Sequence, residues 1–320
     1  MDKQSLLSSI ESFDTFCRFI QSYKVEEIVF LVANAFSADP KELARLPMGG
    51  YSRMPNDDAS FSKGNGCYIY VLYDLKHHID EYMEFYYRLC DDISRKVFMC
   101  QMRYRVVPAA AYLKEAYTLS AKYAQYFDED IFKLGNDEVF VDCGGFIGDT
   151  AIEFIKRCDT YKRIHIFEPL HENVKKCRES LAGFDNIEIY QAGVGSHSSE
   201  MSFSGGGSSG SFAAVTQPDA QNAGDDVFEI VSLDEKIKEA VTFIKMDIEC
   251  FEPEALRGAS GHIQNDSPKL AICLYHMVSD LWEIPKLIHD ISPNYDYYLR
   301  HYDCDNNWEY VLYAIPHTQK

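Results

Sequence analysis

The chain has 320 residues, 46% hydrophobic and 25% charged, enough apolar material for a real core in one large domain or two ordinary ones. Its 31 Lys and Arg face 50 Asp and Glu, a net charge of −19, which argues against nucleic acid or an anionic membrane as partner. The ten cysteines include no C-x-x-C pair, so zinc-ribbon spacing is missing and reduced thiols in a cytoplasmic protein are expected. MDKQSLLSSIESFDTF lacks a cationic start followed by an apolar run, and no apolar run approaches the roughly 18 residues of a membrane helix.

Residues 1–130 are expected to form a mainly helical region. From Ile79 to Val107 apolar residues recur at intervals of three and four, the spacing of amphipathic helices. Pro47 to Tyr68 is rich in turn residues and reads as a long surface loop, followed by a short strand in GCYIYVLYDL. Residues 131–320 change texture. EVFVDC, RIHIFEP, NIEIYQAGV, VTFIKMDIE and PKLAICLYH read as strands, and helical patterns follow all but the third. Met201 to Asp226, rich in Gly and Ser, reads as a solvated connector, with a mobile flap as the alternative. YDYYLRHY and WEYVLYAI close the chain, separated only by the turn residues Asp303 to Asn307. The alternation implies an α/β fold with a Rossmann-like parallel sheet, its seven strands ending in an antiparallel hairpin, the architecture of class I methyltransferases.

Ligands of such sheets bind outside the carboxyl ends of the strands. The first strand runs into Asp142-Cys143-Gly144-Gly145-Phe146-Ile147-Gly148-Asp149-Thr150. Gly144 and Gly148 let the backbone turn and approach a ligand closely. A dinucleotide turn needs G-x-G-x-x-G, and setting its last two glycines on Gly145 and Gly148 places Cys143 where the first belongs. Charge points the same way. A pyrophosphate would meet Asp142 and Asp149, each like-charge contact at about 4 Å costing roughly 4 kcal/mol at an effective dielectric near 20. S-adenosylmethionine carries a sulfonium and an ammonium instead, which both acids would attract. Asp149 reads equally well as a first-turn acid complementing the helix dipole.

Glu168, about twenty residues beyond Gly148, is placed to accept hydrogen bonds from both ribose hydroxyls. Gln191 and Ala192 offer an amide and a small surface near the expected adenine. Asp247, Glu249 and Glu252 cluster where a strand passes into a turn; Glu252 and Glu254 read as helix-capping acids, and Asp247 as the functional candidate. A carboxylate cluster could also hold Mg²⁺, but no metal is assigned. His276, just past the apolar LAICLY, could take a proton from an acceptor hydroxyl, whereas His301 reads as packing.

Together these stretches resemble the FkbM-type methyltransferases, S-adenosylmethionine-dependent enzymes of the class I fold. The resemblance rests on QYFDED (125–130), VFVDCGGFIGDT (139–150), IHIFEP (164–169), VSLDEKI (231–237), FIKMDIE with FEPEALRGA (243–259) and PKLAICLYHMVSDLWEIP (268–285), covering roughly residues 85–316. It implies methyl transfer, usually to an oxygen of a sugar, polyketide or related small molecule. It also implies cofactor contacts from Asp142, Gly144, Gly148, Asp149, Glu168 and Asp247, with Thr150 in the same run. The expected catalytic residues are His276, Asp247 and Glu249, and residues 1–130 would supply an acceptor pocket or lid. One departure stands out: where the family reads D-[IV]-E-G-x-E, this chain has Cys250-Phe251, which removes conformational freedom if that position needs a positive φ. An N- or carboxyl-methyltransferase, and a catalytically silent cofactor-binding interaction protein, are the alternatives.

Overall fold

The computed structural model describes residues 1–53, 61–203 and 226–317. The chain divides into two compact units, one of Met1–Ala124, Leu274–Lys286 and Tyr297–Leu312, the other of Gln125–Cys273, Leu287–Asp296 and Tyr313–Lys320.

The first unit is built from helices α1 (Lys3–Ser9), α2 (Phe13–Ser22), α3 (Val25–Phe36), α4 (Pro40–Ala44), α5 (Tyr68–His77), α6 (Ile79–Arg88), α7 (Asp92–Val106) and α8 (Ala110–Ser120). Aspartate or serine side chains accept backbone N–H groups at the starts of α1, α2, α4 and α7, the groups a helix leaves unpaired. Two expectations fail in this unit. Instead of a loop, Pro47–Arg53 (β1) and Phe61–Cys67 (β2) pair as antiparallel strands. Instead of a strand, YIYVLYDL is the helix α5. Its buried residues are Tyr68, Val71, Leu72 and Leu75, spaced as one helix face, so packing overrides the β-propensity of its Tyr, Ile and Val. The Tyr68 hydroxyl donates to the Val106 carbonyl at 2.6 Å.

The remaining strands are β3 (Glu138–Cys143), β4 (Tyr161–Phe167), β5 (Ile187–Tyr190), β6 (Ala192–Val194), β7 (Ser199–Phe203), β8 (Asp226–Val231), β9 (Phe243–Met246), β10 (Lys269–Cys273), β11 (Tyr295–His301) and β12 (Tyr310–Pro316). The helices among them are α9 (Asp149–Arg157), α10 (His171–Ser180), α11 (Leu233–Lys236), α12 (Glu252–Arg257), α13 (Ser260–Asn265) and α14 (Asp280–Ile291). Seven strands form one sheet in the order β11-β12-β10-β9-β3-β4-β5. Parallel pairing joins β10 to β9, β9 to β3, β3 to β4 and β4 to β5. Only residues 302–309 separate β11 from β12, with the Tyr302 N–H on the Glu309 carbonyl at 3.0 Å; a connection that short makes a hairpin, not a crossover.

All six residues of β3 are buried, as a central parallel strand requires. Phe140 stacks on Phe154 of α9 and on Phe243 of β9, with ring centroids 4.6 and 4.9 Å apart, fixing that helix against the sheet. The expected third strand, NIEIYQAGV, divides: β5 joins the main sheet, while β6 joins a second sheet of order β6-β8-β7. Residues 204–225, within the expected Gly/Ser connector or flap, lie outside the described residues.

Candidate active site

The chain winds from β3 through β4 to β5 on one side, then returns to β9 and β10 on the other. Such a reversal opens a crevice at the carboxyl ends, here between β3 and β9. The backbone closes around that point. A Cβ on Gly144 would meet the Asp247 carbonyl oxygen at 2.0 Å, and Gly144 has φ +81°, so only glycine fits. The Gly144 and Gly145 N–H groups both donate to the Phe167 carbonyl, at 2.9 and 3.1 Å, and Gly148 (φ +85°) starts α9. The turn is thus pinned to the end of β4.

A buried cation pins it from the other side. Lys245 of β9 pairs in register with Asp142 of β3, and its Nζ lies 3.0 Å from the Asp142 Oδ1. It also donates to the carbonyls of Gly144 at 2.8 Å and Cys143 at 3.3 Å. Burial alone would lower the lysine pKa; the charges of Asp142 and Asp247 outweigh it and raise the pKa above its ordinary value. Asp142 is completely buried, which pushes its pKa up; Lys245 opposes that shift and is its counter-charge inside the protein. That revises the attraction expected between Asp142 and a cationic ligand: the acid acts on the turn through Lys245.

Tyr126 completes this arrangement. Its ring centroid lies 5.3 Å from the Lys245 Nζ, and its hydroxyl donates to the Asp247 Oδ2 at 3.0 Å. The Gln125 amide donates to that hydroxyl at 2.9 Å. Tyr126 (φ 69°), Phe146 (44°), Glu249 (55°) and Cys250 (79°) are left-handed without being glycine. Strained backbone of this kind concentrates at functional sites.

Glu168, at the end of β4, is buried. Its carboxylate accepts the Phe146 N–H at 2.9 Å, the Leu170 N–H at 2.9 Å and the Asn173 amide at 3.3 Å. Burial raises its pKa, and those three donors offset only part of the shift. Asp149 is exposed in the first turn of α9 and Thr150 half-buried beside it. Gln191 is exposed between β5 and β6, its amide oxygen 3.3 Å from His171 Nδ1, and Ala192 is buried in β6. The strand ends of β9, β3, β4 and β5 therefore gather Asp247, Asp142, the glycine turn, Glu168 and Gln191 along one side of the sheet.

Asp247 and Glu249 are half-buried in the turn after β9. The Glu252 carboxylate accepts the Ile248 N–H at 2.8 Å, so this acid braces the turn, whereas Glu254 pairs with Arg257 at 2.6 Å. Cys250 does occupy the left-handed conformation that a glycine would suit. His276 falls in the first unit, buried, with its ring 4.2 Å from that of Tyr275. The sequence motifs alone do not single out Lys245, Tyr126 and Phe146. One signal was available: a lysine inside the apolar FIKM strand must find a carboxylate or carbonyl partner once buried.

A mostly parallel seven-stranded sheet and a helical N-terminal region make this a fold of the methyltransferase type. The Methyltransferase FkbM domain model matches residues 142–299. The chain is similar to the crystal structure of the FkbM methyltransferase from Methylobacillus flagellatus KT, at 26% identity and a TM-score of 0.64, over 76% of this chain and 60% of that one. The chain thus spans about three-fifths of that relative's length. Fainter likenesses reach an Aeropyrum pernix fibrillarin with natively bound S-adenosyl-L-methionine (14% identity, TM-score 0.38, 63% of this chain and 73% of that one). They also reach a Streptococcus mutans putative methyltransferase in complex with S-adenosylhomocysteine (10%, 0.36, 57% and 90%). No curated protein matches. Residues 142–299 thus match the FkbM methyltransferase domain, and the chain resembles that family of methyltransferases.

Proposed function

We propose that this protein is an S-adenosylmethionine-dependent O-methyltransferase acting on a hydroxyl of a sugar or another small molecule. The observation that carries the donor is the glycine turn of β3, set against Asp247 and followed by Glu168 at the end of the next strand. Asp142 and Lys245 compensate each other, so Asp149, Glu168 and Asp247 supply the negative field that favours a cationic donor over a pyrophosphate. Glu168 is assigned to the ribose hydroxyls, Gln191 and Ala192 to the adenine end, and Gly144, Gly148, Asp149, Thr150 and Asp247 to the remaining cofactor contacts. The cofactor supplies the methyl group; the chain's own task is to align an acceptor oxygen with it, which accounts for much of the acceleration in such a displacement.

Proton removal from the acceptor is assigned to His276 or Asp247, with Glu249 beside the latter in sequence. The test combines a labelled methyl donor, a panel of hydroxylated, amine and carboxylate acceptors, and one variant. His276→Ala should leave donor binding intact and lower turnover. Unchanged turnover removes His276 from the mechanism and favours an amine acceptor, which needs less help from a base. No label transfer to any hydroxyl, with transfer to amines or carboxylates, overturns O-methylation while keeping the donor.

A further inference from the structure

Phe146 sits at the apex of the turn under two unfavourable conditions at once. Its backbone is left-handed, with φ 44°, a region that Gly or Asn enters at far less cost than a residue with a bulky side chain. Its side chain is also partly open to water: the residue is 38% exposed, and its ring pairs with no other ring among the described residues. The Gly148 N–H on the Gly145 carbonyl at 2.7 Å closes the turn around it. Nothing in that backbone arrangement calls for an aromatic ring.

Its position gives the ring a use. The Phe146 N–H is held 2.9 Å from the Glu168 Oε2, the carboxylate assigned above to the ribose. A phenyl ring lies about 5 Å from its own backbone nitrogen, within reach of whatever Glu168 holds. Left-handed non-glycine residues persist where the surrounding structure holds them and cluster at active sites and ligand clamps, and an exposed flat ring beside a nucleoside site gains by stacking.

We propose that Phe146 is a binding residue whose ring packs against the adenosine part of the cofactor. The assignment rests on the S-adenosylmethionine reading, and the experiment separates the two. Titration calorimetry with S-adenosylmethionine, S-adenosylhomocysteine and adenosine is run on the full chain and on Phe146→Gly, Phe146→Asn and Phe146→Trp, with thermal unfolding of each. Gly and Asn both fit the left-handed backbone, so these variants should melt no lower than the parent, and Phe146→Gly higher. Both should nevertheless bind all three ligands on the order of tenfold more weakly, while Phe146→Trp keeps its affinity.

A residue serving only the fold could not produce stability and affinity that move in opposite directions. Binding within twofold of the parent in both Phe146→Gly and Phe146→Asn would overturn the proposal. A loss confined to S-adenosylmethionine would place the ring at the sulfonium and overturn the adenosine assignment. A parent chain that binds none of the three removes the cofactor reading and this inference with it.

Discussion

Strand β3 carries a buried lysine–carboxylate pair at each end. At its start, Glu138 meets Lys269 of β10 at 2.8 Å; at its end, Asp142 meets Lys245 of β9 at 3.0 Å. The chemistry is the same and the surroundings are not. Glu138 also takes the Gly135 N–H and the Thr242 hydroxyl, donors that tie together the entries of neighbouring strands. Lys245 instead bonds into the glycine turn and lies under Tyr126, which holds Asp247. A buried ion pair is therefore no sign of function by itself. The carboxyl end is the one proposed as a site, because its lysine positions backbone and side chains of the glycine turn.

Removing each lysine in turn should have the largest effect. Lys245→Met and Lys269→Met each leave a buried carboxylate without its counter-charge, and each should cost about 3–5 kcal/mol in urea unfolding. Only Lys245→Met should also weaken S-adenosylmethionine binding in calorimetry at a temperature where both variants remain folded. Equal affinities in the two variants would erase the distinction between the ends. The double variant Lys245→Met/Asp142→Leu, with both charges gone, should regain most of the stability and little of the affinity.

Gly144→Ala comes next, because its Cβ would strike the Asp247 carbonyl and its φ is positive. About 3 kcal/mol of stability should be lost, judged by the usual costs of left-handed backbone and overpacking. Glu168→Ala removes charge-assisted hydrogen bonds as well as the bond to the Phe146 N–H, and should weaken cofactor binding by about 1.5–3 kcal/mol.

Acid separates two other carboxyls of the same unit. The Glu138 pKa lies below its ordinary value because Lys269 and its hydrogen bonds outweigh burial, so its contribution to stability holds at neutral pH and is lost as pH falls through that lowered value. Glu168 has the opposite sign: its pKa is raised by burial, and protonation favours the folded state. With Glu168 holding the ribose in its charged form, as proposed, cofactor affinity should begin to fall at a pH above the ordinary glutamate value of about 4.3, before the protein unfolds. Affinity measured down the pH scale alongside circular dichroism checks the order of the two losses.

The smallest effect concerns the turn after β9. Cys250 holds φ 79° with a side chain attached, so Cys250→Gly should stabilise the protein by about 1 kcal/mol in thermal or urea unfolding. A loss of stability would show that the cysteine side chain contributes more than its backbone conformation costs.

Much of this was legible in the sequence because it depends on local patterns. Period-two and buried runs mark the strands of the main sheet, glycines mark the turn, and acids follow the strand ends, all of which one sequence displays. The expected loop at 47–68 and the strand in YIYVLYDL failed for a shared reason. Tertiary packing decides whether Tyr68, Val71, Leu72 and Leu75 line one helix face, and strand pairing decides what a glycine-rich stretch becomes. Lys245 and Tyr126 escaped because their roles are non-local: Tyr126 lies 121 residues from Asp247, and Lys245 is 101 residues from Gly144. Cys250 was the reverse case, a departure visible in the motif whose cost only the backbone angle reveals.

The central claim is that the carboxyl end of β3 is built for a cationic methyl donor rather than a pyrophosphate. Calorimetric titration of the intact chain with S-adenosylmethionine and, separately, with NAD⁺ tests it most directly. The account predicts one-to-one binding of S-adenosylmethionine, competed by S-adenosylhomocysteine, and no heat from NAD⁺ at the same concentrations. Binding of NAD⁺ with equal or greater affinity, or no binding of S-adenosylmethionine, would contradict it.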